Sequence, residues 1–296
     1  MTVLFTSDKE LNRAENLKAV YDAYDGNKIF IRYAMGNIIA ERYDLMVTDS
    51  YPQYAPKKCI HINHAMGAGK TAGLDNPETH FTNPKLLTYM ITSSEEMIPI
   101  IAKQCGLPES KIIPTGLPRS DAYFSNLPDK PTQTHLYAPT FRFRDNWYPN
   151  IDKIAEFLPT GHKMIVKPHI FNGDKIFRWK WNNIPVVSCN EPTTPYLLNA
   201  DTVITDYSSI MFDAFVMRKP VILFAKDKEQ YLDERGMYFP YPDMYSPYYC
   251  EDERELCELI NEAVWNDKLE ELRTFYAGSC DGHSTERVIN LIRSLL

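Results

Sequence analysis

The sequence has no C-x-x-C pair, no long apolar run, no basic excess and no internal repeat, and each absence excludes something. Its six cysteines, Cys59, Cys105, Cys189, Cys250, Cys257 and Cys280, are scattered singly. Structural zinc sites gather thiolates at short spacings, so no metal is expected. Scatter through apolar stretches fits buried thiols in a reducing compartment. No stretch approaches the ~20 apolar residues that span a bilayer. The opening "MTVLFTSDKELNRAENL" lacks the basic start and apolar run of a secretory signal. These readings place the protein in the cytoplasm, with peripheral contact at the inner face of the plasma membrane left open. A formal charge of −7 argues against a nucleic-acid partner, which calls for a basic face.

What is present is an ordinary globular composition, 44% hydrophobic and 24% charged over 296 residues. That is enough for two domains. Apolar runs alternate with amphipathic stretches, the pattern of an α/β fold. Strands are expected at "KIFIRYA", "LMVTD", "CIHINH", "YMITSS" and "IIPTG". A helix is expected in "SEEMIPIIAKQCG", where Met97, Ile100, Ile101 and Cys105 recur at helical spacing. The polar, Pro-rich "LPRSDAYFSNLPDKPTQT" is the linker candidate. A second series follows: "THLYAPT", "HKMIVKPH", "PVVSC", "TVITD" and "PVILF". "STERVINLIRSLL" reads as an amphipathic closing helix capped by Ser284 or Thr285. The expected division is residues 1–128 and 129–296, facing across a cleft, with the closing helix packing back on the first domain.

Two stretches carry chemistry. "CIHINHAMGAGKT" ends like a phosphate-binding P-loop, but His64 stands where the first Gly is required. Without that Gly the loop loses the backbone freedom to wrap a phosphate, which argues against an ATPase. In "ADTVITDYSSIMFD", Asp206, Tyr207, Ser208 and Ser209 sit where a buried strand ends and a helix begins. Open α/β sheets bind ligands at the carboxyl ends of their strands. Free N–H groups and the helix dipole favour an anion there, and two hydroxyls add donors. A simple helix cap explains the same spacing.

"TDYSSIMFD", "KPVILF", "D-x-x-x-Y" and "RG-x-Y", in unbroken order from Thr205 to Tyr238, resemble the signature of the CDP-glycerol glycerophosphotransferase family, the teichoic acid polymerases and primases. "GLPRSD" at Gly116–Asp121, "YAPTFR" at Tyr137–Arg142, "KPH" at Lys167–His169 and "DGHSTERV" are similar to further family segments. The resemblance implies a GT-B-like α/β fold of two Rossmann-like domains, with the nucleotide held mainly by the second. It implies transfer of glycerol phosphate, or a related alditol phosphate such as ribitol phosphate, from a CDP-alditol to a hydroxyl of a cell-surface glycan or lipid-linked precursor, with CMP leaving.

The resemblance implies His64 as the base that takes the acceptor proton; a histidine serves near neutral pH. Lys70 resembles a later lysine of that loop, one position late, and Ala65 replaces the usual Gly. His169 is implied to face the donor diphosphate and stabilise charge on the leaving CMP. Ile170 follows it where the family has Pro. Thr205, Asp206, Ser208 and Ser209 are expected around the donor, with Asp206 bracing the turn. Asp213 lies one helical turn beyond Ser209 and suits either a hydroxyl ligand or the loop itself. Arg142 has the fork of donors that grips phosphate, or else forms a salt bridge. Arg144 is another candidate for the phosphate. Arg119 faces the acceptor side or sits in a turn held by Asp121. Asp-x-Asp is absent from these positions, so no cofactor is expected, and a divalent-cation requirement stays open. A start so close to the first catalytic segment implies weaker membrane affinity than in longer relatives. Two other readings share these features: a GT-B sugar transferase using a nucleotide sugar, and an inactive scaffold paralogue.

Overall fold

A computed structural model describes residues 1–32, 42–50, 54–62, 84–125, 131–142, 149–169 and 184–296. The chain divides into two compact units, Met1–Ser125 with Thr274–Leu296, and Asn126–Arg273.

The first unit is built on six parallel strands: β1 (Val3–Ser7), β2 (Lys28–Arg32), β3 (Leu45–Thr48), β4 (Cys59–Ile62), β5 (Tyr89–Ile91) and β6 (Ile112–Ile113). Their order is β2-β1-β3-β4-β5-β6. β1, β3 and β4 are buried at every residue. That is why they read as mostly apolar runs rather than as alternating patterns, with Thr6, Ser7, Thr48 and His61 as buried polar members. Helix α1 (Glu15–Ala23) follows β1, and α2 (Ile98–Cys105) connects β5 to β6. α2 ends at Gly106 with φ +62°, a left-handed stop that side chains resist.

The second unit holds β7 (Thr134–Tyr137), α3 (Ile151–Phe157), β8 (Lys163–Val166), α4 (Thr194–Asn199), β9 (Thr202–Thr205), α5 (Ile210–Val216), β10 (Val221–Phe224), α6 (Lys228–Arg235), β11 (Tyr248–Cys250) and α7 (Glu253–Glu262). Its strands are all parallel, in the order β11-β10-β9-β7-β8. The order reverses between β7 and β9. Such a switch point opens a crevice at the carboxyl ends of the strands. One face of this sheet packs Tyr137, Ile154, Met164, Ile204, Phe224 and Leu256 into a core. Lys219 closes α4 by donating to the carbonyls of Leu197 (2.8 Å), Leu198 (2.5 Å) and Ala200. A cation suits those end carbonyls. Burial lowers its ammonium pKa to about 8.

Helix α8 (Asp267–Ala277) leads to α9 (Ser284–Leu295), which packs against α1 and the 3-10 turn Pro118–Phe124. Half of the linker candidate is therefore folded structure of the first unit. "PVVSC" forms no full strand, only a bridge from Val186 to Val166. The cap of α9 is neither Ser284 nor Thr285. Their N–H groups donate to the Asp121 carboxylate at 3.0 and 2.7 Å, so the cap comes from a residue remote in sequence.

Candidate functional site

The switch point of the second sheet gathers the residues singled out after β7, β8 and β9. β9 ends at Thr205, whose Oγ1 donates to the Ala138 carbonyl at 2.7 Å and joins the β7 and β9 ends. Asp206 follows, fully buried. Its Oδ1 accepts from Tyr207 N (2.6 Å) and Thr140 N (2.8 Å), so the carboxylate braces the turn and bridges the switch point. Ser208 is half-buried, and its Oγ meets only Ile210 N at 3.5 Å, the limit of a hydrogen bond. Ser209 directly precedes α5, and its side chain makes no capping bond. Helix capping thus accounts for little of this Ser-Ser pair. Asp213 is buried in the first turn of α5.

Arg142 lies five residues past the end of β7. Its Nε and Nη2 donate to Asp227 Oδ2 and Oδ1 at 2.6 and 3.0 Å, and Nη1 donates to the Thr140 carbonyl at 2.7 Å. Asp206 Oδ2 is 2.9 Å from Nη2, an ion-pair contact off the hydrogen-bonding direction. The guanidinium carbon is 5.1 Å from the ring centre of Tyr207 and 5.0 Å from that of Tyr231. Those two rings stack at 3.7 Å and 7°. The Arg142 side chain is 9% exposed, Asp206 0% and Asp227 10%. Burial by itself pulls the guanidinium pKa down, but the Asp206 charge and the Asp227 bonds reverse this and raise it. Withdrawing Arg142 would leave buried carboxylates unpaired, at about 3–5 kcal/mol. A charge-assisted hydrogen bond to a phosphate returns about 1.5–3 kcal/mol. The larger cost favours Arg142 staying where it is.

His169 lies three residues past the end of β8. Its ring centre is 4.8 Å from that of Phe141, tilted 39°. Lys167 Nζ donates to the Cys189 carbonyl at 3.2 Å and anchors the neighbouring loop, and burial lowers its pKa. Strand order places His169 beside the β7 end, with the Asp206–Ser209 turn on the other side of β7. Asp227 and Tyr231 were visible in the sequence only as a family pattern. Their spacing, one helical turn, was the signal that they act from one face of α6.

In the first unit, His64, Ala65 and Lys70 lie outside the described residues, as do Arg144 and Ile170 of the second. β4 ends at Ile62, two residues before His64. Arg119 lies in the Pro118–Phe124 turn, and its backbone N–H donates to Asn16 Oδ1 at 3.0 Å. The Gly116–Asp121 and "DGHSTERV" segments, separate in sequence, meet. Asp121 caps α9; Arg287 Nε reaches the Thr115 carbonyl at 2.8 Å and its Nη2 the Ser279 carbonyl at 2.6 Å. Among the described residues, no group of three or more His, Cys, Asp or Glu side chains is arranged to hold a metal. No helix of the described residues is long and apolar enough to cross a membrane.

Comparison with known proteins bears on the family and the fold. The family described as CDP-Glycerol:Poly(glycerophosphate) glycerophosphotransferase matches residues 37–294. The teichoic acid ribitol-phosphate polymerase TarK of Staphylococcus aureus is 26% identical, the match covering 97% of this chain and 67% of that protein. The teichoic acid poly(ribitol-phosphate) polymerase of Bacillus spizizenii is 25% identical, covering 98% and 56%. The teichoic acid glycerol-phosphate primase of Bacillus subtilis is 26% identical, covering 97% and 79%. The chain thus spans between about half and four fifths of these relatives. Among solved structures, the wall teichoic acid polymerase TagF superposes with a TM-score of 0.77 at 18% identity, covering 99% of this chain and 88% of that one. An enzyme described as a putative UDP-N-acetylglucosamine 2-epimerase, from Listeria monocytogenes, superposes at 0.60 with 11% identity, covering 99% and 96%. The GT-B-like fold of two Rossmann-like units is therefore shared across different chemistries, and the family match is what separates them. That match takes in the switch-point turn, the buried arginine and the position of His64, and the chain belongs to the CDP-glycerol:poly(glycerophosphate) glycerophosphotransferase family.

Proposed function

We propose that the second unit's switch point binds CDP-glycerol or a related CDP-alditol, and that the acceptor is a hydroxyl of a cell-surface glycan or a lipid-linked precursor. The reaction class comes with the family: the chain is a transferase of glycerol phosphate, or a related alditol phosphate, from a CDP-activated donor. The observation that carries the donor site is the Ser208-Ser209 pair, barely engaged in capping, at the strand ends where a doubly wound sheet binds its ligand.

In this reading Ser208, Ser209 and the turn's N–H groups donate to the donor phosphates. Thr205 and Asp206 hold the turn, and Asp213 reaches a hydroxyl of the donor. The acceptor oxygen bonds to the phosphorus next to the alditol while His64 takes its proton. The bond from that phosphorus to the CMP oxygen breaks, and His169 stabilises the charge on departing CMP. Lys70 and Arg119 serve the acceptor side. Stabilising charge at fixed positions is the main means by which proteins speed phosphoryl transfer. In this reading the protein is cytoplasmic and meets a lipid-linked acceptor by peripheral contact at the inner face of the plasma membrane.

The test is calorimetric titration with CDP-glycerol, CDP-ribitol and UDP-N-acetylglucosamine, beside a His64→Ala variant. Binding of a CDP-alditol by both proteins, with turnover lost only in the variant, is expected. Preference for the UDP-sugar would instead favour a sugar-nucleotide enzyme, a reading kept in view by the epimerase fold likeness. Binding with no turnover in either protein would favour the scaffold reading.

A further inference from the structure

We propose that Asp227 is a positioning residue for the donor turn, acting through Tyr207 and Arg142; the inference rests on the donor site proposed above. Asp227 occupies the position before α6 where an aspartate ordinarily caps the helix, yet its side chain makes no capping bond. Both oxygens are turned to the switch point instead. Oδ1 accepts from the Tyr207 hydroxyl at 3.0 Å and from Arg142 Nη2 at 3.0 Å, and Oδ2 accepts from Arg142 Nε at 2.6 Å. Tyr207 immediately precedes Ser208 and Ser209. Arg142 contacts Asp206, which immediately precedes Tyr207. One carboxylate at the end of β10 thus holds two consecutive residues of the turn after β9, one directly and one through a guanidinium.

The same helix supplies Tyr231, whose ring stacks on Tyr207 and closes the other side of that side chain. Tyr241 adds a third hold, its hydroxyl donating to the Asp206 carbonyl at 3.3 Å. Tyr207 is therefore fixed at its hydroxyl, at its ring face and at the peptide before it. A turn so restrained presents its N–H groups and the two serine hydroxyls in one arrangement before the ligand arrives, and preorganised donors are worth most to an anion.

Charge makes the inference testable by sign. Two carboxylates face one guanidinium, so this cluster carries a net negative charge beside a site meant for a diphosphate. If Asp227 acted only through its charge, Asp227→Asn would tighten donor binding. If Asp227 positions the turn, the same change weakens binding despite removing a repulsive charge. Tyr207→Phe deletes one hydroxyl, leaves the ring stack intact and is the milder variant should Asp227→Asn fold poorly.

The experiment titrates CDP-glycerol and CDP-ribitol into the wild-type chain, Asp227→Asn, Tyr207→Phe and the double variant, with thermal melts and steady-state rates. We expect Kd and KM to rise about tenfold in Asp227→Asn and about threefold in Tyr207→Phe, with kcat at saturation moving less. The double variant should fall short of the product of the two single effects, because both residues hold the same turn and are in direct contact. Unchanged or tighter binding in both single variants, with a wild type that binds, overturns the inference alone. A wild type that binds neither CDP-alditol overturns the donor-site reading and the inference with it.

Discussion

The strand ends of the two units are closed by different means. In the first unit the closure is made largely of backbone and serine hydroxyls, and the Arg287–Asp281 pair that braces it is half-exposed rather than buried. Ser93 and Ser94 donate to the carbonyls of Tyr276 and Phe275, each at 2.6 Å, and Ser279 N–H returns a bond to Ser93 at 2.9 Å. Gly116 stands at φ +77°, where an added Cβ would lie 2.3 Å from the Ser279 carbonyl oxygen. In the second unit the closure is ionic. Arg142 sits between Asp206 and Asp227, and Lys226 grips Glu253 at 2.9 and 3.0 Å. Burial pushes the Glu253 pKa up, but the bonds from Asn150 N–H and Lys226 outweigh this and hold it low. Buried ion pairs are poor stabilisers compared with apolar packing, because desolvation cancels most of their attraction. Ion pairs kept at one sheet's carboxyl edge therefore serve geometry more than stability, and that edge is the one proposed above to bind the donor.

The largest expected effect comes from breaking the ionic closure. Arg142→Met leaves Asp206 and Asp227 buried without their cation and should lower unfolding stability by about 3–5 kcal/mol in urea denaturation. A loss below about 1 kcal/mol would mean that the carboxylates find water, and the contrast between the edges would collapse. The backbone closure is broken by Gly116→Ala. It forces a left-handed backbone on a residue with a side chain and drives Cβ into the Ser279 carbonyl, at about 2–3 kcal/mol by the same measurement. Donor binding should survive this change if the donor site belongs to the second unit.

A third prediction sharpens the comparison through pH. His61 in β4 and His135 in β7 are both buried, and burial lowers each pKa from 6.5 to about 4. His162, 2.9 Å from His135, adds to the lowering there. The unfolded chain takes these protons near the ordinary value, while the folded chain resists them. Between the two values the unfolded state therefore binds more protons. Stability from these groups is full above about 6.5, falls as pH drops towards about 4, and stops changing below that. Melting temperature measured across that window should fall with pH. His135→Gln should flatten the second unit's share, and an unaltered profile in that variant would remove His135 from the account.

Much of this architecture was readable in the residues, for a physical reason. Strands buried on both faces are mostly apolar, so β3, β4, β9 and β10 announce themselves. β1 does not, because "VLFTS" ends in two polar residues, and β11 is three residues long and rich in tyrosine. The linker reading failed in part because Pro and polar residues also suit a 3-10 turn, and Pro118–Phe124 forms one against α1 and α9. The Ser208-Ser209 turn was legible because strand ends and helix starts are local events. The partners of Arg142 were not, since Asp227 lies 85 residues away and meets it only because β10 pairs with β9 and β9 with β7.

By itself the sequence determined the α/β class, the succession of strands and helices, and the place of the Ser-Ser turn, because each depends on neighbours a few residues apart. Only the tertiary structure decided the strand order, the remote capping of α9 by Asp121, and the placement of Arg142 between two buried carboxylates. Those depend on which distant strands lie side by side, and no local pattern of apolar and polar residues encodes that choice.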